Sequence, residues 1–342
     1  MNTNNLNDAT YRIFGGLGSP YSMKVRAVMR YRRIPHVWVQ LNDRNAYEIA
    51  NVRPPVIPVL QFPDGVMQTD STPLILDLEK RHVNGRSVLP DDEVQQFLCC
   101  LLEDMADEWG TKMMFHYRWF LERDQKQMSR WLSFDRLAGK GRASIAQHAA
   151  AFSDRQVGRM ALVGCTAANK PLIEETAKQV LALLEAHVTE EAYLFGSRPS
   201  LADFGWMGQF SQLAVDPTPN DLLRDIAPFT YRWLMQLDDA SGVEGAWRDP
   251  DLPVSDAVRG LLKMAGNVYF PFLAANAEAM ERSEETFSFK ALGHTYEQGT
   301  FKYQVKCLAA LRARFAALSA SAREKLDPLL REAGCFDVLA VS

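Results

Sequence analysis

The sequence predicts an α/β domain over residues 10–83, followed by an all-helical domain over residues 92–342. Apolar residues alternate in short runs through the first part, as in strands that are buried on one face. In the second part they recur every three or four residues, which is typical of amphipathic helices. Turn-forming residues at 84–85 and 90–92 separate the two parts, and a chain of 342 residues is long enough for two domains.

The α/β part has the predicted order β-α-β-α-β-β-α. Ser19 is a favoured residue at the start of the first helix, Pro20 suits its first position, and Pro35 ends that helix. A turn at residues 63–65 joins the last two strands into a hairpin. The seven elements are expected at residues 11–14, 20–34, 36–41, 43–51, 57–62, 66–69 and 70–83.

Helical periodicity dominates the rest of the chain, at residues 93–133, 172–187, 254–282 and 302–332. Residues 287–303 contain glycine and aromatic residues and fit either a loop or a hairpin. Residues 113–120 are rich in aromatic side chains. That composition is typical of a buried helix face, and it would also suit the wall of a substrate pocket.

Composition and charge argue against several classes of protein. A net charge of -4 and an isoelectric point near 5.9 disfavour a nucleic-acid binder, which is usually basic. The five cysteines form no Cys-x-x-Cys pair, so we expect free thiols in a reducing compartment. We find no signal-peptide pattern and no run of about 18 apolar residues, so neither secretion nor membrane binding is expected. The expected location is the cytoplasm, and the scattered histidines predict no metal site.

Ser19 is the first candidate for chemistry, because a helix N-terminus presents unpaired amide groups and a partial positive charge. A hydroxyl there can donate a hydrogen bond to a thiolate, which contributes about 1.5–3 kcal/mol. Together with the helix terminus, this bond would lower the pKa of a bound thiol from about 8.5 by roughly two units. Two alternatives stay open: Ser19 is only a helix cap, or Ser22, one turn on, is the polar partner.

Two more candidate sites follow in the α/β part. Pro58 lies among strand residues, where it would remove a ladder hydrogen bond. A cis Ile57–Pro58 bond would turn the Ile57 backbone outward, so that an extended peptide could pair with it; otherwise Pro58 marks an edge strand. Asp70 and Ser71 begin a helix, where they suit a plain N-cap or a site that holds an ammonium and a carboxylate.

In their order and spacing, these residues resemble the cytosolic glutathione transferase superfamily. Residues 19–26, Ser-Pro-Tyr-Ser-Met-Lys-Val-Arg, are similar to the catalytic-serine segment of the tau and zeta classes. Residues 56–60, Val-Ile-Pro-Val-Leu, resemble the cis-proline strand of that family. Residues 64–65 and 70–71 resemble the turn and the γ-glutamyl site that follow it.

The resemblance implies a thioredoxin-like N-terminal domain that holds glutathione as co-substrate, without a metal. By position, Ser19 would face the glutathione sulfur, and the backbone of Ile57, next to Pro58, would pair with the cysteinyl unit. Asp70 and Ser71 would hold the γ-glutamyl end. The candidates for the glycine carboxylate are Arg44 and Arg53.

The helical part carries a second match and one departure. Residues 193–204 are similar to the family's C-terminal signature, in which Ser200 and Asp203 form a capping box that fixes a buried helix. Family members usually have a shorter helical domain. Here residues 110–170 are enlarged and an extra C-terminal segment spans about 250–342; either could cover the substrate pocket or form a dimer or partner surface.

The function expected from the resemblance is that of a glutathione transferase acting in detoxification. Ser19 would stabilise the thiolate, and the helical domain would hold a small, hydrophobic electrophile. Serine cannot form a mixed disulfide, so reductase chemistry is not expected. Ether cleavage, dehalogenation and isomerisation with glutathione are variants of this function, and a non-catalytic binding or interaction protein is the alternative. A homodimer is implied by the resemblance alone.

Overall fold

The sheet and helices of the N-terminal part come in the expected order in a computed structural model that describes residues 10–83 and 85–341. Residues 1–9, expected to precede the first strand as a loose tail, lie outside the described residues. The elements are β1 (Tyr11–Gly15), α1 (Pro20–Tyr31), β2 (His36–Gln40), a 3-10 turn (Ala46–Ile49), β3 (Val59–Gln61), β4 (Met67–Thr69) and α2 (Ser71–Arg81).

The four strands form one mixed sheet in the order β2-β1-β3-β4. The central strand β1 is parallel to β2 and antiparallel to β3, so that Ile13 lies between Trp38 and Leu60. The parallel pair requires a crossover, which α1 provides. This arrangement confirms the thioredoxin-like α/β domain, although its second predicted helix is only the 3-10 turn.

Strand β3 starts two residues later than the sequence pattern suggests. The Ile57–Pro58 peptide bond is cis, as is Arg53–Pro54. Pro58 has no N–H to donate, and pairing with β1 and β4 begins at Val59. The Thr69 hydroxyl donates to the Pro58 carbonyl at 2.7 Å. Ile57 therefore lies outside the ladder.

The second part of the chain is mostly helical. Its helices are α3 (Glu93–Met105), α4 (Thr111–Trp119), α5 (Glu122–Leu137), α6 (Arg142–Val157), α7 (Lys170–Val188), α8 (Leu201–Leu213), α9 (Pro217–Ile226), α10 (Pro228–Leu237), α11 (Asp256–Met264), α12 (Phe270–Glu281), α13 (Lys302–Ala316), α14 (Ala320–Ala333) and α15 (Phe336–Leu339). A π turn (Ala106–Gly110) joins α3 to α4, and another (Ala265–Tyr269) joins α11 to α12. The capping box of Ser200 and Asp203 is present at the start of α8.

The second part is mostly helical, as expected, and a β-hairpin follows α12. Its strands are β5 (Thr286–Ala291) and β6 (His294–Gly299), so residues 287–303 contain a hairpin and not only a loop. The turn residues Leu292 and Gly293 both have positive φ, at 49° and 79°, as in the tight turns that match strand twist. The rings of Phe289 and Tyr296 pack against Trp109 of the π turn.

Close packing of α1 on α8 fixes where the first helix begins. A Cβ atom added at Gly208 would lie 2.8 Å from the Pro20 carbonyl oxygen. Only glycine permits this approach without a shift of the backbone. The N-terminus of α1 is therefore held against the helical part of the chain.

Within the described residues, no helix combines the length and apolar character that crossing a membrane requires. Over the same residues, no three His, Cys, Asp or Glu side chains are grouped so that they could hold a metal ion. All five cysteines are buried and free.

Candidate functional site

Two cavities of about 480 Å³ each meet the N-terminal domain, and Ile57 lines both of them. We call the first the serine cavity; it is lined by Gly16, Gly18, Ser19, Gln40, Leu41, Ile57, Met114, Phe115, Arg118, Trp119, Leu132, Asp135, Arg136, His148, Phe152, Arg155 and Gln156. We call the second the acidic cavity; it is lined by Tyr21, Pro54, Val56, Ile57, Asp70, Ser71, Asp107, Glu108, Thr111, Lys112, Leu162, Val163, Gln298, Phe301, Tyr303 and Gln304.

Ser19 both caps α1 and lines the serine cavity. Its Oγ accepts a hydrogen bond from the Ser22 amide at 3.2 Å. That bond uses a lone pair, so the hydroxyl hydrogen stays available for a group in the cavity. Ser22 is fully buried, its Oγ has no partner, and it lines neither cavity. The geometry thus favours Ser19 over Ser22 as the residue that a bound thiol would meet.

Arg118 holds the loop that precedes Ser19, a role that the sequence analysis missed. It is almost fully buried and donates to the Gly18 carbonyl at 2.7 Å, to Asp216 at 2.9 Å and to Gln212 at 2.7 Å. Burial raises the pKa of Asp216, and Arg118 opposes that rise. A charged residue within the aromatic stretch 113–120 is the signal that could have identified it.

One wall of the serine cavity is aromatic and comes from α4 and α6. Met114, Phe115 and Trp119 line it from α4, and the ring of Phe152 lies 5.8 Å from that of Trp119. Met113 of the same stretch is fully buried. One face of residues 113–120 is therefore core, as the composition indicates, and another lines a cavity; that the electrophile binds there stays a prediction.

The other polar groups of the serine cavity include one without a partner. The Gln40 Oε1 atom is buried and accepts no hydrogen bond in the described residues. Arg136 pairs with Asp43 on the β2 side. Arg44 and Arg53, the two candidates for a glycine carboxylate, donate to backbone carbonyls and line neither cavity.

At the acidic cavity, the start of α2 is open towards the space. Asp70 precedes the helix with a φ of 82°, and its side chain makes no capping bond. The carboxylate instead accepts hydrogen bonds from the Tyr303 hydroxyl at 3.0 and 3.3 Å. Ser71 is buried at the first helical position. An uncapped helix N-terminus beside a carboxylate can hold the two ends of an amino-acid zwitterion.

A buried lysine joins the N-terminal domain to the helices behind this cavity. Lys24 is fully buried and contacts Glu103 at 2.6 Å, Asp107 at 2.5 Å and the Thr72 hydroxyl at 3.2 Å. Burial disfavours its charged form, but Asp107 and Glu103 outweigh burial and raise the pKa of Lys24. This network fixes the π turn against α1 and α2.

The π turn presents two carboxyl groups to the acidic cavity. Burial raises the pKa of Asp107 to about 6, although Lys24 opposes the rise. Burial also raises the pKa of Glu108 to about 8, with Asp104 and Asp107 adding to it. Lys112 lies one helical turn further on, and burial lowers its pKa to about 8. Burial thus shifts the pKa values of all three groups towards neutral pH. No local sequence pattern indicates these shifts.

Comparison with known proteins gives one family match in the N-terminal domain. Residues 13–86 match the family described as glutathione S-transferase, N-terminal domain. No curated protein sequence matches the chain.

Several solved structures are similar at low identity. A glutathione S-transferase from Methylobacillus flagellatus KT, with GSH bound, shares 19% identity at a TM-score of 0.40, over 68% of this chain and 96% of that chain. The tau class enzyme of mango, Mangifera indica, shares 14% at 0.39, over 69% and 92%. A beta-etherase from Sphingobium sp. strain SYK-6 shares 14% at 0.44, over 74% and 98%.

Proposed function

Residues 13–86 form a domain of the glutathione S-transferase N-terminal family, and from this premise we propose that the protein activates glutathione for attack on a small apolar electrophile. The observation that carries the proposal is that Ile57 lines two cavities, each of which also has a helix N-terminus in its lining. Ser19 starts α1 at the serine cavity, and Ser71 starts α2 at the acidic cavity. An extended tripeptide along Ile57 would reach both.

In this proposal each part of glutathione meets a different element. The cysteinyl unit pairs with the backbone of Ile57, which is outside the ladder next to cis Pro58. The γ-glutamyl end enters the acidic cavity, where Asp70 accepts from its ammonium group and the Ser71 end of α2 holds its carboxylate. The thiol then lies in the serine cavity.

The chemistry proposed at Ser19 is stabilisation of a thiolate. The hydroxyl donates to the sulfur, and the N-terminus of α1 adds a partial positive charge, so the thiol loses its proton to water more readily. The thiolate attacks the electrophilic carbon, a sulfur–carbon bond forms, and the leaving group departs with the bonding electrons. The aromatic wall formed by Trp119 and Phe152 holds the electrophile.

Two measurements test the proposal: calorimetry with glutathione, and conjugation with a chlorinated dinitrobenzene. We expect Ser19→Ala to lower kcat/KM about 10- to 100-fold and to raise the apparent pKa of the bound thiol by about one to two units, because the bond to the thiolate is lost. Ser22→Ala is the matched control, since it removes a buried hydroxyl one turn away. It should retain activity.

The outcomes separate the candidate functions. Equal activity in Ser19→Ala and wild type would overturn the role of Ser19. Binding of glutathione without turnover of any electrophile would favour the alternative, a non-catalytic protein with this fold. Product analysis with an aryl ether, a haloalkane and an isomerisable enone then identifies the reaction subtype.

The proposal includes assembly as a homodimer, which the resemblance to the family implies. Light scattering after size-exclusion chromatography measures it. A mass near twice that of one chain, 38.6 kDa, supports the dimer, and a mass near one chain rejects it.

A further inference from the structure

We propose that residues 300–304, in the C-terminal segment, complete the subsite for the γ-glutamyl ammonium group, and that Tyr303 is a positioning residue for Asp70. The inference deepens the proposed function and rests on it, because it requires glutathione to bind. It concerns a part of the chain that lies more than two hundred positions from the N-terminal domain.

The contact between Tyr303 and Asp70 is the first support. The phenol hydroxyl donates to one carboxylate oxygen at 3.0 Å and approaches the other at 3.3 Å. Asp70 makes no capping bond to its own helix, so this contact orients the carboxylate. A carboxylate has about four acceptor positions. Enough remain to accept from an ammonium group in the cavity.

The segment that carries Tyr303 is itself held firmly. Asn276, which is fully buried in α12, donates to the Phe301 carbonyl at 3.0 Å and accepts from the Phe301 amide at 2.8 Å. The Thr300 amide donates to the Glu285 carbonyl at 2.9 Å. Tyr303 is therefore presented to Asp70 from a fixed backbone.

Unpartnered acceptors on the same cavity are the second, independent support. Asp107 Oδ1 and Gln304 Oε1 are buried and accept no hydrogen bond in the described residues, and both side chains line the acidic cavity. A primary ammonium group offers three donors and would satisfy such oxygens. An anion would leave them unpaired, which costs free energy in a buried site.

The cationic side chain on this cavity does not compete for that position. The Lys112 ammonium donates to Gln298 Oε1 at 2.7 Å and to the Val163 carbonyl at 3.2 Å. It also lies 4.5 Å from the centre of the Phe272 ring. Its donors are thus used within the protein, and the side chains of Asp70, Asp107 and Gln304 line the cavity.

The test compares two ligands on one pair of variants. Glutathione and its deamino analogue, in which a glutaryl group replaces γ-glutamyl, are titrated calorimetrically into wild type and Tyr303→Phe. We expect Tyr303→Phe to weaken glutathione binding about 3- to 10-fold, because the carboxylate loses its orienting bond. The deamino analogue should bind both proteins equally. Tyr231→Phe, whose hydroxyl contacts Asn220 away from both cavities, is the matched control.

A second variant tests Gln304, the other residue of the segment that is proposed to contact the ammonium group. Gln304→Met removes the acceptor at nearly constant volume, and it should also weaken glutathione more than the analogue. In turnover, both variants should raise KM for glutathione and leave kcat within twofold. The inference would be overturned if the variants lost equal affinity for glutathione and for the deamino analogue, or lost affinity for neither. If wild type binds no glutathione, the proposed function itself is rejected. That result differs from one in which wild type binds glutathione and the variants do so equally well, which rejects only this inference.

Discussion

The serine cavity and the acidic cavity share Ile57, yet they are built differently. Ser19 meets the serine cavity from a helix start beside an aromatic wall and charged side chains that include Arg118, Arg136 and Asp135. The acidic cavity has carboxyl groups at Asp70, Asp107 and Glu108, and part of its wall comes from the far end of the chain. One cavity suits an apolar electrophile and a thiolate, and the other suits a cation.

In the proposed function, the difference divides two tasks between the cavities. Near Ser19, a helix N-terminus and a hydroxyl would favour negative charge on a bound sulfur. Near Asp70 a carboxylate would repel a thiolate but attract an ammonium group. A peptide that carries both groups is therefore oriented by charge as well as by shape.

The largest expected effect comes from Lys24, which supports the acidic cavity. Lys24→Met removes the partner of Glu103 and Asp107 and leaves two buried carboxylates uncompensated. We expect a loss of about 3–5 kcal/mol in the free energy of unfolding at pH 7. The loss should shrink towards pH 5, because burial raises the pKa of Asp107 and the removal of Lys24 leaves that rise unopposed. Urea unfolding at both pH values measures it.

The exposed residue Lys80 on α2 offers the control for this measurement. Lys80→Met should change stability by less than about 0.5 kcal/mol. A loss from Lys24→Met that stays constant with pH would show that packing, and not charge, explains the role of Lys24.

A smaller effect is expected at Glu108, whose pKa burial raises to about 8. The folded protein keeps a proton that the unfolded chain releases, so this group lowers stability as the pH rises from about 4.5 to 8. The glutamine in Glu108→Gln cannot ionise. Relative to wild type, the free energy of unfolding of this variant should therefore be higher at pH 8 than at pH 5, by on the order of 1–3 kcal/mol. Lys112 offsets part of this gain, because it favours the charged form of Glu108.

Chemical unfolding between pH 5 and 8 tests this expectation. The exposed Glu324 gives the matched change, Glu324→Gln, which should leave the pH dependence unaltered. If wild type and Glu108→Gln show the same slope, the acidic cavity is not set apart by burial of this carboxyl group.

The smallest effect is expected on the serine cavity, at Phe152. Its ring packs against Trp119, and the Arg155 guanidinium lies 4.8 Å from its centre. Phe152→Ala should raise KM for an aromatic electrophile about 2- to 10-fold, with glutathione affinity unchanged. Steady-state kinetics with one aromatic and one aliphatic electrophile measure this.

Phe134→Ala is the control, since Phe134 lies exposed on α5 and lines neither cavity. An equal rise in KM for aromatic and aliphatic electrophiles in Phe152→Ala would show that the aromatic wall does not select aromatic electrophiles. A fall in glutathione affinity would show that the two cavities do not divide the tasks.

Local patterns were sufficient to predict a few residues of each cavity. Ser19 and Ser71 stand at helix starts, and Pro58 interrupts a strand, so each is visible within a few residues of sequence. The cis bond before Pro58 and the four-stranded sheet agree with those predictions.

The remaining parts depend on contacts that no short pattern contains. Tyr303 meets Asp70 across a separation of 233 positions, and Arg118 meets Gly18 across 100. Asp107 lies in a π turn, although the sequence around it has the pattern of one long helix. The face on which Asp107 lies therefore could not be inferred from a regular helical period. The pattern of residues 287–303 fits a loop and a hairpin equally well, so it does not predict the two strands that the structure places there.

The hairpin that packs against Trp109 lies near the buried carboxyl groups of the π turn and affects their ionisation. A polypeptide ending near residue 250 would lack both this hairpin and the segment that carries Tyr303. It would therefore lack Gln298, Tyr303 and Gln304 in the wall of the acidic cavity. Because burial is the largest cause of the raised pKa of Glu108, we expect that pKa to fall towards its ordinary value in such a chain.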